Sequence, residues 1–214
     1  AGGAGNITFD STVDGTQALT MGAGSGNILF SGLVGNTNAL GVVTIDEAAN
    51  VTFNGLRAAS LVQTTGTGTT TINTGDFTAD PDQGIGTTAA AGVVINNRVI
   101  TVNDSIDTAG NGVVTLNATV GALTIGANGD ITADGAVSLT GAGGISTAGD
   151  ITTTADNVDF NSAVSLTGGV AIETNAGGAG NITFDSTVDG TQALTMGAGS
   201  GNILFSGLVG NTNA

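Results

Sequence analysis

A four-residue apolar pattern returns along this chain about every 22 residues. Asn6-Ile7-Thr8-Phe9 comes back as Asn27-Ile28-Leu29-Phe30, Asn50-Val51-Thr52-Phe53, Asn157-Val158-Asp159-Phe160 and Asn181-Ile182-Thr183-Phe184. Less complete forms are Thr69-Thr70-Thr71-Ile72, Val113-Val114-Thr115-Leu116 and Asp130-Ile131-Thr132-Ala133. A second element follows them: Ala18-Leu19-Thr20-Met21, Ala122-Leu123-Thr124-Ile125, Ala136-Val137-Ser138-Leu139 and Ala163-Val164-Ser165-Leu166. Side chains alternate along a strand, so Ile7 and Phe9 face one way and Asn6 and Thr8 the other. So short a segment cannot bury its own apolar face; stacking on the next copy does that. The spacing, 17 to 27 residues, predicts an all-β parallel β-helix, or β-solenoid, with two or three strands per coil. Phe9, Phe30, Phe53, Phe160 and Phe184 are expected inside, the first three as a ladder. Asn6, Asn27 and Asn50 are expected to stack outside as an amide ladder.

A longer repeat lies over the short one. Residues 176–214 are identical to residues 1–39, an offset of 175 residues. The chain therefore divides into 1–175, one complete tandem unit, and 176–214, the first 39 residues of the next. Each unit holds about eight coils, or nine with a break near Asp150. In one continuous solenoid, residues 176–214 should repeat the backbone of 1–39, moved along the axis by roughly 38 Å at ~4.8 Å per coil. Asn175 and Ala176 should join the units without a linker. The expected partners are identical neighbouring units end to end, which cover sheet edges otherwise left bare. Asn73–Gly92 departs from the pattern and holds the only Pro, so it is expected to be an enlarged turn on one flank.

Composition agrees with this fold and narrows its use. The 38 Gly and the scarcity of charge, 9%, oppose helices, and no window holds apolar residues at helical spacing. Antiparallel β-sandwich domains of the immunoglobulin type are the rival fold. Arg57 and Arg98 are the only basic residues, and the net charge is −15. One 175-residue unit, with 15 acidic residues and both arginines, carries −13. That argues against a nucleic-acid partner and against anionic membranes. No apolar run is long enough to insert in a membrane.

The residue types also argue against an enzyme. With no His, Cys, Lys or Tyr, acid–base and nucleophilic roles fall to Asp, Glu, Ser and Thr. A polysaccharide-acting β-helix enzyme would work with such carboxylates, but all seven aromatics are Phe, most of them at inward positions. No catalytic or cofactor-binding residue is assigned. Asp76, Asp80 and Asp82, followed by Gly84, are the candidate Ca2+ ligands, since oxygen-rich loops bind that ion. The competing account of these, and of Asp10 with Asp14 and Asp104 with Asp107, is turn capping by the Asp side chain. Asn6, Asn50, Asn103, Asn117 and Asn181 begin glycosylation triplets, which so much Asn and Thr also produces by chance. Thr64–Thr71 and Thr152–Thr154 are rich in Thr, as in ice-binding solenoids, but no T-x-T array recurs in register.

The stretches GNITFDSTVDGTQALTMGAGSGNILFSGLVG, GDITADGAVSLTGAGGI and NVDFNSAVSLTGGVAI resemble the repeats of filamentous-haemagglutinin-like giant exoproteins and of autotransporter passengers. The resemblance covers nearly the whole chain and is weakest at Asn73–Gly92. It implies a right-handed parallel β-helix, export unfolded across an outer membrane, and structural or adhesive work outside the bacterial cell. Absence of Cys fits threading through a narrow pore. An adhesin stalk and a self-associating sheath or matrix filament are the two roles this implies. No functional residue of the family maps onto the chain.

Overall fold

Short runs in which Val, Ile, Leu and Phe alternate with polar residues become strands. The computed structural model describes residues 3–77, 83–174 and 178–210, and among these are 24 strands and no helix. Every strand pair among them is parallel. That removes the sandwich alternative, whose sheets are antiparallel.

The solenoid has three faces. Face 1 is a nine-stranded sheet running from Ile7–Phe9 to Val188–Asp189. A fifteen-stranded sheet supplies the other two, bending at Leu56–Gln63. The first half of that strand pairs with Ile85–Thr87 on face 2, and the second half with Val93–Asn97 on face 3.

Along each face a mostly aliphatic ladder runs in register, buried except at its ends. On face 1 it runs Ile7, Ile28, Val51, Thr70, Ile100, Leu123, Ile145, Val164 and Val188. On face 2 it runs Val13, Val34, Leu56, Ile85, Ile106, Ile131, Ile151, Ile172 and Met196. On face 3 it runs Leu19, Val43, Leu61, Val93, Val114, Val137, Val158, Ile182 and Ile203. These rungs meet in one contiguous core. Phe30, Phe53, Phe160 and Phe184 are fully buried, as expected; Phe9, in the first coil, is half-buried because nothing stacks on its outer side. The rings of Phe9, Phe30 and Phe53 stack with centroids 4.9 and 5.3 Å apart, the interior ladder foreseen from spacing.

Several inward rungs are polar, Thr70 and Gln63 among them. Thr70 interrupts the face 1 ladder, and Gln63 stands between Ile45 and Ile95 on face 3. They satisfy each other: Thr70 Oγ1 donates to Gln63 Oε1 at 2.7 Å, and Asn97 Nδ2 donates to Thr70 Oγ1 at 2.9 Å. Gln63 Nε2 has no partner among the described residues. Thr70→Val alone would strand Gln63 Oε1 and is expected to cost about 1–3 kcal/mol. Adding Gln63→Met removes the stranded group, so the double variant should be at least as stable as the single one in urea unfolding. A double variant worse by the sum of both changes would refute the coupling.

The two identical segments are both folded as strands and corners, but on different faces. Ile7 lies on face 1 and its counterpart Ile182 on face 3; Val13 lies on face 2 and Val188 on face 1; Leu19 lies on face 3 and Leu194 on face 2. Seven full coils lead from Ile7 to Val164 on face 1, and two further faces lead to Ile182. The unit thus spans seven and two-thirds coils, about 37 Å at ~4.8 Å each. This corrects the expected pure translation: the second copy is also turned by one face. No break occurs near Asp150, where Ile145–Thr147 and Ile151–Thr153 continue their ladders. Ladders also cross the unit boundary, with Val158–Phe160 paired to Ile182–Phe184 and Val170–Glu173 to Leu194–Gly197. The junction residues Asn175 and Ala176 lie outside the described residues.

The enlarged turn is smaller than Asn73–Gly92. Ile85–Thr87 within it is a regular face 2 strand, so the connection from face 1 ends before Ile85, and its residues 78–82 lie outside the described residues. Pro81 lies outside the described residues.

Candidate functional site

A surface groove of about 320 Å³ lies along face 2, lined by Arg57, Gln83 and Asp107 among others. Arg57, just after a one-residue corner at Gly55, extends over the ring of Phe77 at 4.2 Å from its centroid. Its Nε–H donates to Gln83 Oε1 at 2.9 Å. Gln83 Nε2 in turn donates to Asp107 Oδ2 at 3.4 Å, and Ser105 Oγ donates to the same oxygen at 2.9 Å. Residues from three successive coils are joined in one row: a cation, an amide and a carboxylate. The row holds Arg57 against the wall, with the guanidinium lying on an apolar ring. Asp107 is the one carboxylate of the described lining. Phe77 and Gln83 flank residues 78–82, so the Arg57 row was not legible beforehand; Arg57, one of only two basic residues, was its only signal.

The corners carry the other recurrent chemistry. Asn6 Oδ1 accepts the backbone N–H of Asn27 at 2.9 Å, Asn27 Oδ1 that of Asn50 at 3.2 Å, and Asn50 Oδ1 that of Thr69 at 2.8 Å. Asn50 Nδ2 also donates to Asn27 Oδ1 at 2.8 Å, which is the amide ladder expected from the repeat. The same ladder reappears on face 3 through Asn157, Asn181 and Asn202. Two further ladders were missed: Asn54, Asn73 and Asn103 at the exit of face 1, and Asn96 with Asn117 on face 3. The signal of the first is an Asn that closes a strand, as in Val51–Asn54 and Thr69–Asn73.

Aspartates do the same work. Asp14 Oδ1 accepts the N–H groups of Thr37 and Asn38, Asp130 Oδ1 that of Asp150, and Asp150 Oδ1 that of Ala171. Asp104 caps its own turn through the Ser105 N–H at 2.7 Å. The Asn111 N–H, then the Thr154 hydroxyl, hold the Asp134 carboxyl below its ordinary range. Of the Ca2+ candidates, Asp76 is exposed after the strand Thr69–Asn73, and Asp80 and Asp82 lie outside the described residues. No group of three metal-ligating side chains is gathered among the described residues. No helix among them is long and apolar enough to cross a membrane.

The Thr-rich stretch is divided by the fold. Thr70 turns inward, while Thr71 joins an outward file on face 1 of Thr52, Thr71, Thr101, Thr124 and Ser146. It is a single file, without the second column that a T-x-T array needs.

No family model matches this chain, and neither a curated protein nor a solved structure matches it.

Proposed function

We propose that this chain is a segment of a long, repetitive extracellular rod, a stalk or filament of a bacterial surface built on the filamentous-haemagglutinin-like or autotransporter plan. The observation that carries the proposal is the passage of in-register ladders from one copy of the unit into the next. A unit that stacks on itself without interruption makes length, and stability grows with neighbour contacts. In this role the chain has no catalytic task, and its partners are identical units end to end. The test is a chain of three complete units imaged by electron microscopy. Single stiff particles about 110 Å long are expected, growing by about 37 Å per added unit. Separate beads joined at kinks would overturn the rod.

The sheath or matrix alternative requires contact between rods. Each unit carries −13, so rods repel at low ionic strength, and salt shortens that repulsion to about 10 Å at 0.1 M. Sedimentation at low salt should give single rods; sheets or bundles there would favour the matrix role.

A further inference from the structure

We infer that successive units of a tandem array are turned by one face about the rod axis, so that each surface feature returns to the same side only at every third unit. The inference rests on the array proposed above. Within this chain the step is already complete: all three faces shift together, 1 to 3, 2 to 1 and 3 to 2, between residues 7–34 and 182–209.

The cause is the strand that receives the second copy. Asn157-Val158-Asp159-Phe160 lies one coil before Asn181-Ile182-Thr183-Phe184, and it sits on face 3. There Phe184 stacks on Phe160 with centroids 4.5 Å apart and rings 8° from parallel. Asn157 Oδ1 accepts the Asn181 N–H at 2.8 Å. Had the copy arrived on face 1, Val164–Leu166 would have received it, with Leu166 in place of the phenyl ring and Ala163 in place of the corner amide. Matching like to like selects face 3. Identical neighbours then impose the same step at each later junction, because each coil responds only to the coils beside it.

Three units, 525 residues on the 175-residue offset, close the cycle in 23 coils, about 110 Å. The groove of Arg57 and Asp107, on face 2 here, falls on face 1 in the next unit and on face 3 in the one after. The rod therefore has no single functional side. A partner that binds one groove meets the next on the same side three units away, and its nearer neighbours point a third of a turn aside.

Paired cysteines test the step in this chain, which has no native Cys. Asp159 and Thr183 are register partners on face 3 and both are half-exposed, so Asp159→Cys with Thr183→Cys should crosslink with a short bis-alkylating reagent. Ser165→Cys with Thr183→Cys is the pair that a whole number of coils would create. The first pair should react at least about tenfold more completely, since in-register neighbours lie within reach and strands on different faces do not. The reverse preference would overturn the step. The three-unit chain supplies a second measurement: helical averaging should give a third of a turn per rise of about 37 Å. A continuous rod whose copies share one side would overturn the step and leave the rod standing. Beads would overturn the rod, while the crosslinks still judge the step.

Discussion

Phe30→Ala should destabilise the solenoid by about 3–5 kcal/mol, the cost of emptying a buried phenyl site. Phe205→Ala, the same substitution in the same 39-residue sequence, should cost less than about half of that. The two residues share their local sequence but lie on different faces and differ in what covers them. Phe30 lies between Phe9 and Phe53 and is fully buried; Phe205 has Phe184 on one side and is half-buried. Other residues of the two copies differ likewise: Ile28 is 1% exposed and Ile203 42%, Val34 0% and Val209 57%. The converse holds at the other end, where Phe184→Ala should cost more than Phe9→Ala. Urea unfolding of the four variants measures this. Equal losses for Phe30 and Phe205 would mean that the sequence of a coil, and not its stacking neighbours, sets its stability.

Gly55→Ala should be strongly destabilising, through strain and crowding together. Gly55 alone turns the corner between Val51–Asn54 and Leu56–Gln63, with φ at +97°, where an L residue is strained. A Cβ there would stand 2.7 Å from the Gly75 Cα and 2.8 Å from Leu33 Cδ2 and Phe77 Cε2. Backbone strain contributes about 1–3 kcal/mol and overpacking about 1–3 kcal/mol more. Gly15 separates the two effects: its φ is +135°, but nothing lies within 4 Å of its Cβ position. Gly15→Ala should therefore lose only the strain. Thermal midpoints of the pair decide it; a Gly55→Ala midpoint no lower than that of Gly15→Ala would remove the packing argument.

Much of the architecture was written locally. Alternation in Ile7–Phe9 and its relatives determined which side chains go in, and the recurrence of Asn before each such strand determined the corner ladder. Both depend on contacts within a strand or between neighbouring coils, which a repeat displays directly. The polar rungs Gln63 and Thr70 were not legible in this way. They come from different faces, and only the closed cross-section brings them to 2.7 Å. The Arg57 row is of the same kind, joining three coils through the flank of an irregular connection.

The sequence by itself determined the repeat, the parallel stacking and the inward register of each strand, because these follow from side-chain period and nearest-neighbour burial. It did not determine which face a given strand occupies. Ala18–Met21 and Ala122–Ile125 look alike, yet Leu19 belongs to face 3 and Leu123 to face 1. A face is fixed by counting every corner that precedes it, and the corners here differ in length, from the single Gly55 to residues 103–105. That sum is not a local property of any segment. Only the assembled solenoid, in which Phe160 receives Phe184, decided that the second copy of an identical sequence should begin one face away from the first.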